Sequence, residues 1–351
     1  MSEWSLDRDD VEGAGGEGLF GLGTPLEQAG VVIVPVPFEA TTSYGRGTAR
    51  GPAAILEASD QLDLFDLETG RPYEAGIALL PIDPQVQAWN EEASAEAQRV
   101  IAAAHGEEEL SGDERQAALR RVETIQGELN SWLRGQVSEW VERGRLVGVL
   151  GGDHSVPFAA IEVLAEKYPG LGILHVDAHA DLRLAYEGFT WSHASIIRNV
   201  ADRIPGVASV VGVGYRDLCE SEQEILLGDE RFSAFPDPLL RRELQRGCPW
   251  NDLLREIVDR LPDKVYVSFD VDGLEPALCP HTGTPVPGGL SWAEGTSLLR
   301  AVAESGREIV GFDLCEVAPD PKGQSEWDQN VGARLLYKLI GYALCSQSGP
   351  A

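Results

Sequence analysis

Six histidines and a concentration of aspartates mark where this chain could do chemistry. His154 stands in Gly151-Gly152-Asp153-His154-Ser155, and His175 and His179 flank Asp177 in His175-Val176-Asp177-Ala178-His179-Ala180-Asp181. His193 comes shortly after, and His281 follows Asp270-Val271-Asp272; only His105 stands apart. Residues two apart on an extended segment share a face, so Asp177, His179 and Asp181 can converge, as can Asp270 and Asp272. Buried carboxylates need a counter-charge, and no lysine accompanies these motifs. Four carboxylates with the imidazoles of His154 and His179 are too many for one tetrahedral zinc. They suit two hard or borderline cations such as Mn²⁺, a centre that activates water for hydrolysis. Glu316 could grip a planar cation through paired hydrogen bonds, or serve as a structural acid. His193 is a candidate proton shuttle because imidazole titrates near neutrality, or a hydrogen-bonded core histidine. Each motif alone is weak. Asp270-x-Asp272 by itself would also fit a nucleotide-sugar site, and it is the conjunction of all three that is specific.

The elements that must position these residues are short apolar runs at 31–36, 76–80, 145–150, 171–176, 208–213, 264–269 and 308–312. They lack polar alternation, which predicts strands covered on both faces. Amphipathic stretches at 156–167, 251–261, 292–304 and 331–344 fall between or after them. This alternation predicts an α/β chain, a three-layer α/β/α sandwich with a mainly parallel central sheet. Right-handed crossovers then place every strand's C-terminal end on one edge, where the three acidic motifs lie. The stretch 85–142 is rich in Glu, Ala, Gln and Arg and predicts a helical insertion with a break near 106–112. Residues 1–20 are expected to be disordered or loosely attached, with 21–351 forming a single domain.

The 351 residues carry 28 Lys and Arg against 57 Asp and Glu, a net charge of −29. Such a surface repels a polyanion and argues against nucleic acid as a partner, while a small cationic substrate is attracted. The five cysteines are scattered without a C-x-x-C pair, which favours a reducing compartment over a disulfide framework. No apolar run suits a membrane span, and the acidic, Gly-rich N-terminus is unlike a signal peptide, so a cytoplasmic location is expected.

These motifs, in this order, resemble the ureohydrolases, the family of arginase, agmatinase and the guanidine hydrolases. The resemblance rests on Gly151 to Ser155, on Val176 to Asp181, on Ser268-Phe269-Asp270-Val271-Asp272-Gly273-Leu274-Glu275-Pro276, on Thr282-Gly283-Thr284-Pro285 and on Gly311 to Pro319. It implies a binuclear manganese site, with nickel an alternative. One ion would be held by His154, Asp177, Asp181 and Asp270, the other by His179, Asp177, Asp270 and Asp272. It also implies proton transfer by His193, guanidinium binding by Glu316, and a pocket shared with Thr284 and Trp191. Asp153 would orient His154 from behind. The implied reaction is hydrolysis of a guanidino carbon to urea and an amine, agmatine being the foremost substrate. Bulky Trp191 disfavours arginase. Trp191, Phe189, His281 and Thr41-Thr42 would shrink the pocket and so keep open a guanidine hydrolase, or another guanidino-acid hydrolase. A mono-zinc deacetylase, a glycosyltransferase and a non-catalytic metal-binding scaffold are the readings of other kinds. The family resemblance also implies a homo-oligomer, trimer or hexamer.

Overall fold

The computed structural model describes residues 16–347. The chain runs through β1 (Val31–Val36), α1 (Gly51–Ser59), β2 (Ile77–Leu79), α2 (Pro84–Ala104), α3 (Gly112–Glu142), β3 (Leu146–Gly151), α4 (Phe158–Lys167) and β4 (Leu171–Val176). It continues through α5 (Ile196–Arg203), β5 (Val207–Val213), α6 (Glu220–Gly228), β6 (Phe232–Phe235), α7 (Asp237–Gln245) and α8 (Trp250–Val258). Last come β7 (Lys264–Asp270), α9 (Trp292–Glu304), β8 (Glu308–Cys315) and α10 (Trp327–Gln347).

All strands join one eight-stranded sheet in the order β2-β1-β3-β8-β7-β4-β5-β6, and every pairing is parallel. Strand residues alternate between two cores, because successive side chains point to opposite faces. Val265, Val267 and Phe269 of β7 pack with α8, α9 and α10, whereas Tyr266 packs with the layer of α3 and α4. Val31 and Ile33 of β1 face the first layer, and Val32 and Val34 the second. The three layers agree with the expected sandwich. The central strands are buried along nearly their whole length, which is why they read as unbroken apolar runs.

One boundary differs from the sequence reading. Residues 1–15, part of the segment expected to be loose, lie outside the described residues. Residues 19 and 20, expected to be loose as well, belong to the core. Leu19 and Phe20 are buried, the Phe20 ring meets Tyr337 edge-on at 4.8 Å, and the Phe20 N–H donates to Ser59 Oγ. The stretch 85–142 forms two helices, α2 and α3, and Ser111 and Glu114 close a capping box at the start of α3.

Candidate metal centre

The sheet register brings four strand ends to one edge. Val176 pairs with Phe269, Asp270 with Cys315, and Leu150 with Leu314. The loops leaving β3, β4, β7 and β8 therefore start side by side, and they carry His154, Asp177 to Asp181, Asp270 with Asp272, and Glu316. Gly152 lets the loop after β3 pass against the loop after β1: a Cβ there would lie 2.1 Å from the Phe38 carbonyl oxygen.

The six expected ligand residues form two adjoining groups that share Asp177. His154 Nδ1 lies 3.0 Å from Asp177 Oδ2, 3.4 Å from Asp181 Oδ2 and 3.3 Å from Asp270 Oδ2. His179 Nδ1 lies 3.3 Å from Asp177 Oδ1 and 3.2 Å from Asp272 Oδ2. The two Asp177 oxygens thus face different groups, as a bridging carboxylate requires. Asp270 turns one oxygen to His154, while its Oδ1 accepts from the Asp272 N–H at 2.8 Å. Five of the six residues are buried, and His179 is partly exposed.

The charge state of this cluster is a test of whether cations fit it. Burial works to lower both imidazoles, but the carboxylates outweigh it. Asp177, Asp270 and Asp313 push His154 well up, and Asp272 and Asp177 push His179 up to about 12. Burial drives Asp181 and Asp270 far above the carboxylate range, helped by the charges of Asp177 and Asp272 respectively. Burial also opposes Asp177, yet its three histidine neighbours hold it well below that range. Protons are therefore retained where positive charge is wanted. Ligand atoms of His154, His175, Asp177 and Asp181 lie within 4.8 Å of one another, as do those of Asp177, His179 and Asp272, and such imidazole and carboxylate donors suit divalent cations.

The surroundings add residues that the sequence did not single out. His154 Nε2 bonds Ser268 Oγ at 2.9 Å, which turns Nδ1 into the cluster. Asp153 does not do this, contrary to expectation, because its Oδ1 accepts from the backbone N–H and hydroxyl of Ser155. His175 stands between the cluster and Tyr215, with Nδ1 2.7 Å from the phenol oxygen and Nε2 3.1 Å from Asp177 Oδ2. The Arg216 guanidinium donates to the carbonyls of Gly214, Asp272, Leu274 and Val286 and so fastens the loop after β7 to the strand exit of β5. Tyr215 and Arg216 carry no motif of their own, and Ser268, though it opens the motif at 268–276, is given no role by it; their places are recognisable only once the strands are laid side by side.

A cavity of about 250 Å³ opens beside the cluster, lined by Tyr44, His179, Asp181, Tyr186, His193, Asp217 and Thr284, among others. The Thr284 hydroxyl donates to Asp272 Oδ2 at 3.2 Å. His193 packs edge-on against Tyr186 at 5.8 Å, and burial, with the neighbouring His179, lowers it to about 4. This favours the neutral imidazole. Glu316 is buried beneath Gly283. Its Oε1 accepts from the His154 N–H at 3.0 Å, and its Oε2 has no hydrogen-bond partner among the described residues. Burial, with Asp270 and Asp153 nearby, pushes its carboxyl well up.

Three of the residues expected to narrow this cavity point elsewhere. Trp191 meets Phe158 edge-on at 4.9 Å and lies under the Arg203 guanidinium, so it belongs to the helical layer and not to the substrate cavity. Phe189 is buried among α2 and α3. His281 is held by Asp328, with Nδ1 2.8 Å from Oδ2.

The parallel α/β/α sheet carries, at its C-terminal edge, a buried His/Asp cluster suited to divalent cations, as metal-dependent hydrolases do. Residues 29–341 match the arginase family model, and the chain belongs to the arginase family. It is 35% identical over 320 residues to the N(1)-aminopropylagmatine ureohydrolase of Thermus thermophilus, covering 91% of this chain and 92% of that one. It is 31% identical to the agmatinase of Bacillus anthracis, covering 84% and 85%. The crystal structure of a hypothetical agmatinase from Burkholderia thailandensis superposes with a TM-score of 0.69 at 22% identity, covering 98% of each chain. The protein is a hydrolase of guanidino C–N bonds. Among the described residues no helix is long and apolar enough to cross a membrane.

Proposed function

We propose that this ureohydrolase acts on guanidines that carry a cationic amine tail, agmatine or its N(1)-aminopropyl derivative, releasing urea and the corresponding amine. The observation that carries the reading is the cavity itself. Its volume of about 250 Å³ equals about eight liquid water volumes of ~30 Å³ each, well beyond the needs of guanidine alone. The exposed acid Asp217 at its wall suits a positive tail, as does the net charge of −29. The names of the relatives point the same way.

In this reading His154, Asp177, Asp181 and Asp270 hold one divalent cation, and His179, Asp177, Asp270 and Asp272 the other, with manganese favoured over nickel. Bound there, the cations supply Lewis acidity and a lowered water pKa. The chain's own groups do the rest. Glu316 Oε2 accepts guanidinium N–H bonds in a site from which water is excluded. Thr284 lines the cavity and is held there by its bond to Asp272. His193, neutral before the reaction, takes a proton at its imidazole and delivers it to the departing amine. The reading includes a cytoplasmic location and a trimer or hexamer. Exposed Phe65, Leu67 and Trp327 are apolar surface that assembly would cover.

The test is urea release from agmatine, N(1)-aminopropylagmatine, arginine and guanidine, with manganese and separately with nickel. Turnover of the two amine-tailed compounds above the others is expected. A preference for guanidine would overturn the proposal, which loses the narrowed pocket as a rival premise because Trp191, Phe189 and His281 face away.

A further inference from the structure

The role of α2 and α3 is not explained by the metal centre, to which they contribute no ligand. Their facing sides nevertheless enclose a separate small core. Ala97, Val100 and Ile101 of α2 and Ala118 and Val122 of α3 surround one residue from outside the pair, Phe189. Phe189 is 4% exposed, although it belongs to the loop between Asp181 and His193 in which Leu184 is 71% exposed.

The turn that presents Phe189 is sharply defined. Tyr186 and Phe189 exchange backbone hydrogen bonds of 3.0 and 2.9 Å. The two residues between them, Glu187 and Gly188, have φ of 53° and 99°, the left-handed pair of a tight hairpin turn. Gly188 runs close against α3: a Cβ there would lie 2.9 Å from Arg115 Nη2 and 3.3 Å from Leu119 Cδ2. Glu187 Oε1 lies 3.3 Å from His105 Nε2 at the C-terminal end of α2. Tyr186, on the opposite side of the turn, lines the substrate cavity and supports the His193 ring edge-on. A short mechanical path therefore leads from the core of the helix pair through Phe189, two hydrogen bonds and Tyr186 to His193.

We propose that the α2–α3 pair is the positioning element for the His193 loop, with Phe189 as its anchor. This rests on His193 being the proton-transfer group. Phe189 touches neither substrate nor metal ligand and is a positioning residue, acting through Tyr186. Because a displacement of about 1 Å at a reacting group can cost ~100-fold in rate, releasing the anchor should appear in kcat.

The experiment is a double-mutant cycle of Phe189→Ala and His193→Ala in the metal-loaded enzyme, with Phe189→Leu as the conservative variant. Phe189→Ala is expected to lower kcat by ~10–100-fold with KM changed by less than about threefold. Phe189→Leu should restore most of the loss. In the His193→Ala background, Phe189→Ala should change kcat by less than about twofold, since the group it positions is gone. Chymotrypsin should cleave the metal-free Phe189→Ala variant at Leu184 or Tyr186 faster than the parent protein. Wild-type kcat in Phe189→Ala, or an equal loss in both backgrounds, overturns the proposal. A His193→Ala enzyme at full rate overturns the reading of His193 itself and leaves the anchor nothing to position. Should Phe189→Ala fail to fold, Val122→Ala weakens the same contact from the helix side and enters the same cycle with the same outcomes.

Discussion

Replacing Glu316 by Gln separates a binding role from a structural one, because the two roles predict opposite changes in stability. The carboxylate gives one oxygen to the His154 N–H and leaves the other buried without a partner. In Glu316→Gln the amide oxygen can keep the bond to His154, while an NH₂ group replaces the acceptor that would meet the guanidinium. Truncating one partner of a buried, hydrogen-bonded charge pair costs about 2–5 kcal/mol. At about 1.4 kcal/mol per tenfold this is a ~30- to 5000-fold loss of kcat/KM. The metal-free protein should respond in the opposite sense. A buried polar atom without a partner costs about 1–3 kcal/mol, which the neutral amide relieves in part. Tm should therefore rise by up to about 1–4 °C. The assays are steady-state urea release by the manganese-loaded enzyme, with metal content measured, and calorimetry of chelator-treated protein. An unchanged kcat/KM would refute guanidinium binding by Glu316. A fall in both activity and Tm would make it a structural acid that holds the left-handed turn at its own φ of 65°.

Further tests address the cluster and the sheet. Ser268→Ala removes the hydrogen bond that turns His154 Nδ1 inward and should weaken metal affinity by ~10–100-fold in chelator competition; unaltered affinity would count against that role. The metal-free protein should be less stable at pH 8 than at pH 5. Asp153, raised to about 6, and Asp181, Asp270 and Glu316, also raised, add an ionisation penalty as pH rises above the unfolded carboxylate value. The raised His154 and His179 begin to lose their stabilising contribution above their unfolded pKa, the lowered Asp177 matters only in acid, and the lowered His193 and His175 work the other way as pH rises to the unfolded histidine value but are outnumbered. Saturating metal should flatten the profile and release protons; metal-free stability that climbs from pH 5 to 8 would contradict the reading. Gly148→Ala would place a Cβ 2.4 Å from the Phe312 ring and should cost about 1–3 kcal/mol. The measurement is a lowered denaturation midpoint with kcat preserved in the folded fraction.

The sequence exposed what repeats locally and hid what depends on neighbours across the sheet. Buried parallel strands are continuous apolar runs, so the central strands were readable almost to the residue. β6 was not: Phe232–Phe235 is a short edge strand, only partly buried after Phe232, and its pattern is correspondingly weak. The His/Asp cluster was legible because its residues sit in three tight motifs. The geometric reason was less simple than a shared strand face, however. Asp181 has a φ of 54°, so it joins its neighbours through a turn and not through extended backbone. Ser268 could not be assigned to His154 without knowing that β7 lies two strands from β3. Trp191 was misplaced because the resemblance implied its role from its position in the loop alone, whereas its ring turns to Phe158 and the Arg203 guanidinium.

The place of β8 in the strand order has a consequence for how the molecule is made. It is the last strand in the chain, and it lies between β3 and β7. Until residues 308–315 are in place, β2-β1-β3 and β7-β4-β5-β6 share no strand pairing and each presents an unpaired edge. A ribosome that has synthesised everything up to residue 307 has produced two half-sheets, with His154 on one and Asp177 to Asp272 on the other. Any nascent chain truncated before β8 carries all six expected ligand residues, with Asp177, His179 and Asp272 together on one half-sheet, but lacks the strand whose pairing brings His154 beside them.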